Sequence, residues 1–408
     1  MSDEPGEKRV SWVELYFDLI FVFAVSETTH IMVTDPHWSV FGRALGLFVP
    51  LWWTWIGFVV LYNRHHEDQV SRRLFVLAGT LPCAVAAVET HAAADGHGMA
   101  FALALAAARL VLALAFAFSS DQARQVAIGY SASTAIFAAS AFTPGPWRYV
   151  LWAFALIQEA GFLLLRDGER RRREPGGERP ARRSRTEALR DMLKPPADPA
   201  RRVDAAHLAE RFGLMIIILL GEVVVAVGAS AVEVPVHDLR YWLGLLSGLV
   251  LAATLWWIYF TAAAPISEYV LRASGGNPSM AYGLYAGGHL SPAFALLTMA
   301  AGMSLTLSGE PPTAAAWFIT GGLAGYLAGS QVMVADSRVR SAPLLRTALV
   351  VLTVCLAFLR PVISTTGVVL VAAGWAGVIA AYVTWRLPDR LKSIANDPLS
   401  YFRPPPPK

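Results

Sequence analysis

Ionisable side chains recur within long apolar stretches of this chain. Inside a membrane such residues are costly, and they usually carry protons, bind ions or contact a substrate. Eight residues are therefore candidates for binding or proton relay, and none is assigned a catalytic role. They are Glu14, Asp18, His30, Arg109, Glu210, Arg211, Glu222 and His289. The carboxylates and imidazoles would hold a proton or a solute, and the arginines would balance their charge.

Two short spacings lie in the first apolar stretch. Glu14 and Asp18 are four residues apart, so they share one face of a helix. Glu27 and His30 are three apart and share another face. Glu-x-x-His is the ligand spacing of di-metal helix bundles, but such a site also needs ligands from other helices. Glu27 and His30 are therefore secondary candidates for a metal site, with polar packing between helices as the alternative, and we predict no cofactor.

Arg109 lies near the middle of its apolar stretch. An unpaired guanidinium at that depth would be very costly, so an acidic partner is expected. Glu89, Glu27 and Glu222 are carboxylates that could reach it. The resulting pair would be either a structural ion pair or part of a gate or substrate contact.

Glycines precede two of the deep candidates. Glu222 follows Gly221 and lies about 18 Å along its stretch from Glu210 at about 1.5 Å per residue. A carboxylate at that depth can carry a proton. His289 follows Gly287 and Gly288. Glycines there allow close contact between helices, or a break that frees backbone carbonyls.

The elements that carry these residues are predicted to be transmembrane helices. The chain is 55% hydrophobic and 16% charged, whereas soluble domains carry about 25% charged residues. Apolar stretches of about 20 residues, long enough to cross a bilayer, recur from end to end. We predict an all-α polytopic transmembrane bundle of about 12 spans. The spans are predicted at 12–33, 43–62, 74–94, 99–118, 125–142, 147–165, 207–230, 240–261, 281–307, 313–333, 344–361 and 364–385.

The basic residues predict the orientation. With the N-terminus in the cytoplasm, 28 of the 34 Lys and Arg residues lie on the inner side and four on the outer side, as the positive-inside rule requires. Both termini are therefore expected in the cytoplasm. The first apolar stretch precedes no small-residue cleavage motif, so it is expected to be a true span rather than a signal peptide.

Four segments follow from this pattern. A first six-span half covers 1–165, a basic cytoplasmic linker rich in Pro and Gly covers 166–202, a second six-span half covers 203–388, and a Pro-rich cytoplasmic tail covers 389–408. The linker is expected either to be a solvated connection that fixes topology or to lie against anionic lipid. Nucleic acid is not expected as a partner, because no aromatic residues or fold motif accompany the charge.

The two halves open with similar residues. Glu14 to Asp18 (ELYFD) begins one apolar stretch, and the next carries the pair Trp52-Trp53. Glu210 to Gly213 (ERFG) begins another, and the next carries Trp256-Trp257. We interpret the halves as two parallel six-span repeats, an arrangement common in transporters. The alternative is chance, because Trp concentrates at membrane interfaces in any case.

These openings carry a resemblance to a known family. The chain resembles the bacterial low-temperature-requirement A (LtrA) family at several places. They are the run Val13 to Val25 (VELYFDLIFVFAV), His30, the first Trp pair, the run His207 to Gly213 (HLAERFG) with Leu220-Gly221-Glu222, and His289. Glu27 departs from that pattern, which argues against the metal site. The resemblance implies a polytopic protein of the bacterial inner membrane. The family name describes growth in the cold and no reaction, so the resemblance implies no mechanism.

Three functions remain open from the sequence. The leading hypothesis is a proton-coupled transporter of a small solute, with Asp18, Glu222 and His289 as proton or substrate groups. The second is an intramembrane enzyme or a haem- or metal-binding protein. The third is a membrane stress-adaptation protein without turnover. No Walker A loop, Rossmann fingerprint, nucleophile elbow or HExxH motif is present, so the sequence favours a protein that is not an enzyme.

Overall fold

The protein is helical throughout the part of the chain that the structure describes. The computed structural model describes residues 10–63, 70–118, 124–172, 185–196, 201–232, 238–308, 310–330 and 342–401. Within these ranges the secondary structure is helical, without strands, and the predicted all-α class is confirmed. The α-helices are α1 (Trp12–Thr34), α2 (Trp38–Asn63), α3 (Val70–Val88), α4 (Thr90–Ala94), α5 (Met99–Ala117), α6 (Arg124–Ser140), α7 (Gly145–Arg172), α8 (Arg185–Met192), α9 (Ala205–Val232), α10 (Leu239–Ile258), α11 (Ala264–Ala273), α12 (Pro278–Ala281), α13 (Leu290–Leu307), α14 (Thr313–Gly329), α15 (Ala342–Cys355) and α16 (Arg360–Asn396).

Among the described residues, seven helical stretches are long and apolar enough to cross a membrane. They are Trp12–Thr34, Trp38–Asn63, Met99–Ala117, Ala205–Ala229, Leu239–Ala273, Pro278–Leu307 and Arg346–Asn396. Other apolar helices are shorter: α6 and α14 have 17 residues each, which is about 25 Å of rise against a hydrocarbon core of about 30 Å. The protein is therefore a helical membrane protein, and the number of twelve spans stays a prediction.

Several long stretches are not continuous α-helix. A π-helical segment, Tyr259–Ala263, joins α10 to α11, and another, Tyr282–Gly287, joins α12 to α13. A 3₁₀ segment, Leu356–Leu359, follows α15, and Ser364 has a φ of 65° inside α16. A positive φ is strained for a residue with a side chain and marks a kink. These breaks release backbone groups from the regular hydrogen-bond ladder.

The chain divides into two compact units. The first contains the described residues of Met1–Thr28, Gly42–Arg211 and Gly276–Tyr282, and the second those of Thr29–Phe41, Phe212–Gly275 and Gly283–Lys408. In the first unit α5 packs against α3 and α6, and α6 packs against α7. In the second unit α13 packs against α14, and α10 against α16. The predicted boundaries at 165, 202 and 388 are not tested by this division and stay predictions.

Helices α13 and α14 approach closely because α14 carries glycine at the contact. A Cβ on Gly322 would lie 2.5 Å from Cγ of Met299 and 2.9 Å from the carbonyl oxygen of Ala295, both on α13. Its neighbour Gly321 has open space at the same position. Small residues at helix contacts let backbones approach within a membrane. Gly322 therefore sets the distance between the two helices, and Gly321 does not.

The two sequence openings differ in their surroundings. Glu14 is 2% exposed, whereas Glu210 is an exposed residue. Trp52 is 2% exposed, whereas Trp256 and Trp257 are 46% and 47% exposed. Side chains at corresponding positions of the two predicted halves therefore differ in burial. The repeat remains a prediction from the sequence.

Candidate functional site

Charged side chains from α1 and α9 form a buried group in the first unit. We call it the α1–α9 cluster, and it consists of Glu14, Asp18, His207 and Arg211. Arg211 Nη2 lies 2.8 Å from Asp18 Oδ1, and Arg211 Nε lies 3.6 Å from Glu14 Oε1. His207 Nε2 lies 3.2 Å from Glu14 Oε1. Each of the four residues is 2% exposed or less, so the charges are shielded from solvent.

The spacing within each helix explains why the cluster forms. Residues four apart lie on one helix face, so α1 presents two carboxylates and α9 presents an imidazole and a guanidinium. Glu14 has a second role at the start of α1. The Ser11 N–H and hydroxyl groups both donate to Glu14 Oε2, each at 2.9 Å, and the bond from the Ser11 N–H is one half of a capping box. One carboxylate oxygen of Glu14 therefore caps α1, and the other faces α9.

Trp55 on α2 completes the surroundings of Asp18. Its Nε1–H donates to Asp18 Oδ1 at 2.8 Å. The guanidinium carbon of Arg211 lies 5.8 Å from the Trp55 ring centroid, within the range of a cation–π interaction. Trp55 is 0% exposed. A single indole thus contacts both members of the Asp18–Arg211 ion pair.

Asn63, at the end of α2, fixes the tautomer of His207. The Asn63 side chain is oriented by the backbone of Asp204: its Oδ1 accepts from Asp204 N–H at 3.1 Å, and its Nδ2 donates to Asp204 O at 3.0 Å. The amide nitrogen is therefore the Asn63 atom that faces His207 Nδ1, at 3.2 Å. Because an amide nitrogen can only donate, Nδ1 must accept, and the ring proton lies on Nε2, towards Glu14. In this arrangement His207 is neutral.

Several polar atoms of the cluster have no hydrogen-bond partner among the described residues. Asp18 Oδ2 and Arg211 Nη1 are examples, and both are fully buried. Buried polar atoms are normally hydrogen-bonded. The cluster therefore retains both an acceptor and a donor that could engage a proton, water or solute.

Arg109 lies in a second buried ion pair of the first unit. Its Nε donates to Glu159 Oε1 at 2.8 Å, and its Nη1 donates to Thr54 Oγ1 at 3.0 Å. The guanidinium carbon lies 3.8 Å from the centroid of the Phe137 ring. Arg109 and Glu159 are 1% and 3% exposed. An acidic partner was expected, but the partner is Glu159 and none of the three carboxylates predicted from depth.

Glu27 pairs with the imidazole of His91. Its Oε2 lies 3.1 Å from His91 Nε2, and both side chains are partly exposed. His30 is exposed on α1. Among the described residues no group of three or more His, Cys, Asp or Glu side chains could hold a metal ion. The spacing of Glu27 and His30 is therefore not accompanied by the further ligands that such a site needs.

Glu210 and Glu222 lie outside the α1–α9 cluster. Glu210 is exposed and accepts from the Val10 N–H at 3.3 Å. Glu222 is half-buried on α9, about 16 Å along the helix from Arg211 at about 1.5 Å per residue. Their roles in binding or proton relay stay predictions.

His289 lies in the second unit with aromatic neighbours. Its Nε2 is 2.9 Å from the Tyr259 hydroxyl, and its Nδ1 is 3.0 Å from the Leu284 carbonyl oxygen. The Tyr285 ring stacks on the imidazole with a centroid distance of 5.3 Å, and the Phe212 ring lies at 4.9 Å. His289 is 6% exposed. The structure thus surrounds this candidate with hydrogen-bonding and aromatic groups and no ion-pair partner among the described residues.

Five residues of these sites were not among the candidates predicted from the sequence: Trp55, Asn63, Glu159, His207 and Tyr259. His207 did carry a usable signal, because it lies four residues before Arg211 and so repeats the spacing of Glu14 and Asp18. Tyr, Trp and Asn inside a membrane helix have many structural uses, so their types alone do not identify a site.

Comparisons with known proteins agree with this structure. The family model described as bacterial low temperature requirement A protein (LtrA) matches residues 9–383. An uncharacterized protein of Rhizobium meliloti (strain 1021) is 24% identical over 315 residues, which are 75% of this chain and 72% of that protein. No solved structure matches the chain. Because the family match includes both α1 and α9 and extends over most of the sequence, the chain belongs to the bacterial low temperature requirement A (LtrA) family of membrane proteins.

Proposed function

We propose that the protein is a proton-coupled transporter of a small solute, and that the α1–α9 cluster binds the coupling proton. The observation that supports this proposal is the charge of the cluster. Glu14 and Asp18 supply two carboxylates, and Arg211 supplies one permanent cation. His207 is held neutral by Asn63. With both carboxylates ionised, the cluster would carry one net negative charge.

An uncompensated charge in this position would be unfavourable. Moving an ion out of water costs on the order of several kcal/mol even after the protein relaxes. Only a close counter-charge offsets this cost. Arg211 can offset one carboxylate. We therefore expect one proton to be shared by Glu14 and Asp18. A site that holds a proton when closed and exchanges it when hydrated is what coupled transport requires.

The alternatives to transport account less well for this cluster. A purely structural ion cluster would be expected to contain equal numbers of positive and negative groups. A metal or haem protein would use His30 or His289 as ligands, and neither is grouped with carboxylates among the described residues. We therefore favour transport, with Asp18 as the proton group and with Glu222 and His289 as further proton or substrate groups.

The proposal includes the bacterial inner membrane and a cytoplasmic position for both termini. Its support is the distribution of basic residues, because 28 of 34 lie on one side in that orientation. The basic segment 166–202 would then lie next to the inner leaflet. Each basic residue near an anionic lipid surface contributes about 1 kcal/mol of attraction.

The test is solute uptake into proteoliposomes with and without an imposed pH gradient. A panel of amino acids, sugars, organic acids and small amides is used, and a pH-sensitive dye inside the vesicles reports proton movement. We expect at least one solute to accumulate only with the gradient. We also expect Asp18→Asn to abolish the stimulation by the gradient, because the remaining Glu14–Arg211 charges are balanced without a proton.

Asp389→Asn is the matched control, since Asp389 is an exposed carboxylate that pairs with Arg386 near the end of α16. It should behave like the wild type. Infrared spectroscopy of the wild type at neutral pH should show a protonated carboxyl band that Asp18→Asn or Glu14→Gln removes. Uptake that is unaffected by the gradient across the whole panel, together with no such band, would refute the proposal.

A further inference from the structure

The hydroxyl of Ser11 lies between the carboxylate of Glu14 and the phenol of Tyr62 in the first unit. Ser11 Oγ is 2.9 Å from Glu14 Oε2 and 3.1 Å from the Tyr62 oxygen. Glu14 and Tyr62 are buried, whereas Ser11 is partly exposed. Ser11 therefore connects a carboxylate of the α1–α9 cluster to the solvent-accessible start of α1.

The Ser11 hydroxyl is not used to cap α1. In a complete capping box the serine oxygen accepts a hydrogen bond from the backbone N–H three residues further on. Here the Glu14 N–H donates to the Ser11 carbonyl oxygen at 3.1 Å, and the hydroxyl contacts the Glu14 side chain and Tyr62 instead. The hydroxyl is therefore available for a role other than starting the helix.

The surroundings of Glu14 determine which of its oxygens can take up a proton. Oε1 faces His207 Nε2 at 3.2 Å and Arg211 Nε at 3.6 Å, and both nitrogens carry protons of their own. Oε2 faces the Ser11 hydroxyl, which can donate as well as accept. A proton on Glu14 therefore lies on Oε2, where Ser11 is the group that can deliver or remove it.

These groups can pass a proton without leaving an ionised hydroxyl behind. With Glu14 ionised, Tyr62 donates to Ser11 Oγ, and Ser11 donates to Glu14 Oε2. A hydronium ion of the solvent then gives one proton to Ser11 Oγ and becomes water, while the original Ser11 proton moves to Glu14 Oε2. Afterwards Glu14 donates to Ser11, and Ser11 donates to the Tyr62 oxygen. Both hydrogen bonds have reversed, and the net change is one proton on Glu14.

An exposed carboxylate lies beside this entrance. Glu210 Oε2 accepts a hydrogen bond from the Val10 N–H at 3.3 Å, and Val10 is the neighbour of Ser11 in the chain. Glu210 is exposed on α9, whereas the following residue, Arg211, is buried. A negative surface group raises the local concentration of cations, including hydronium. Glu210 therefore concentrates protons next to the partly exposed Ser11.

We infer that Ser11, oriented by Tyr62, relays protons between solvent and the α1–α9 cluster, and that Glu210 collects them at the entrance. The inference rests on the proposed function, because it concerns the same proton that Glu14 and Asp18 share. It places the route at the end of α1 that follows the N-terminus. Asp18 lies one helical turn further along α1, so Glu14 is the first carboxylate that the proton reaches.

The test is the rate at which the shared carboxyl proton exchanges with deuterium. Protein in a lipid film is followed by infrared spectroscopy while the buffer is changed from H₂O to D₂O. The band of the protonated carboxyl group moves to lower wavenumber when deuterium replaces the proton. The presence of the band shows that the cluster holds a proton, and the rate of its movement measures the relay.

Ser11→Val and Ser11→Thr form a matched pair, because the two side chains have nearly the same shape and only threonine carries a hydroxyl. We expect Ser11→Val to slow the exchange about a hundredfold, the lower end of what a positioned proton-transfer group contributes. Ser11→Thr should exchange at close to the wild-type rate. The protonated band should persist in both variants, which a merely structural role of the hydroxyl does not predict.

Tyr62→Phe tests the relay without a change at the start of α1. It leaves the Ser11 hydroxyl without the oxygen that accepts its proton when Glu14 is protonated. We expect slower exchange than in the wild type, with the band retained. Exchange as fast as in the wild type would contradict the role of Tyr62.

Glu210→Gln tests the entrance. In weakly buffered solution it should slow the exchange, because fewer protons are held next to Ser11. Asp389→Asn is the matched control, since Asp389 is also an exposed carboxylate and lies far along the chain, near the end of α16. It should leave the rate unchanged, and equal slowing by the two variants would contradict the role of Glu210.

The relay and the proposed function fail in different ways. Exchange that is as fast in Ser11→Val as in Ser11→Thr, with the band present in both, would overturn the relay and leave the shared proton in place. A wild-type protein without the band would refute the shared proton, and the relay with it.

Discussion

Arg211 Nη2 and Asp18 Oδ1 lie 2.8 Å apart, although 193 positions of the sequence separate the two residues. The contact joins α1 to the start of α9 within the first compact unit. Because both side chains are almost fully buried, the free energy of each residue depends strongly on the other. The arrangement also makes the cluster asymmetric, with one permanent cation serving two carboxylates.

That asymmetry predicts unequal effects of substitution at the two residues. Arg211→Gln should destabilise the protein by about 3–5 kcal/mol, since it leaves Glu14 and Asp18 buried without a permanent cation. Asp18→Asn should cost less than half as much, because Glu14 remains as the partner of Arg211. The measurement is denaturant-induced unfolding in detergent micelles. The double variant should be more stable than Arg211→Gln alone, and additive losses would show that the two residues are not coupled.

The Arg109–Glu159 pair predicts which carboxylate neutralises Arg109. Glu159→Gln should destabilise the protein by about 3 kcal/mol or more, because it leaves a buried guanidinium unpaired. Glu89→Gln is the control: Glu89 precedes α4 and its side chain makes no capping hydrogen bond, so the change should stay within about 0.5 kcal/mol. The same unfolding measurement compares the two variants. A larger loss with Glu89→Gln would contradict the pairing.

Two adjacent glycines of α14 should respond oppositely to alanine. Gly322→Ala introduces a Cβ that meets Met299 and the Ala295 carbonyl, so we expect a loss of about 1–3 kcal/mol from overpacking. Gly321→Ala meets no atom within 4 Å and should be neutral or stabilising by up to about 1 kcal/mol through helix propensity. Thermal unfolding of the two variants in the same detergent tests the difference. Equal effects would show that α13 and α14 are not held at the observed distance.

The predicted orientation can be tested with reporter fusions. Green fluorescent protein fused after Lys408 should fluoresce, because it folds when it stays in the cytoplasm. Alkaline phosphatase fused after Val232, the last residue of α9, should be active, because the predicted seventh span ends on the outer side. A dark C-terminal fusion, or an inactive fusion at Val232, would contradict an even number of spans with both termini inside.

The sequence identified the helices that form the α1–α9 cluster because their ionisable residues interrupt otherwise apolar stretches. Glu14 and Asp18 were placed on one face by their spacing, and Arg211 was expected to balance a carboxylate. The partner of Arg109 was not predictable, because depth along a helix can be counted from the sequence but rotation about its axis cannot. Glu159 lies on α7, and the pairing depends on how α5, α6 and α7 pack.

The surroundings of His289 were also only partly predictable. Gly287 and Gly288 indicated close approach or a break, and the structure shows a π-helical segment at this point. Such a segment changes the hydrogen-bond register by one residue without altering the apolar pattern. Neither the composition nor the spacing of the residues could therefore predict that the Leu284 carbonyl accepts a hydrogen bond from a side chain.

Two neighbouring residues of α2 connect the two buried charge centres of the first unit. Thr54 accepts a hydrogen bond from Arg109 and donates its own proton to the Pro50 carbonyl at 2.7 Å, while Trp55 donates to Asp18. Consecutive residues of one helix move together as a rigid body. A rotation of α2 that displaces Trp55 from Asp18 therefore also displaces Thr54 from Arg109. The Asp18–Arg211 and Arg109–Glu159 ion pairs are therefore mechanically coupled through α2. Rearranging one of them means rearranging both.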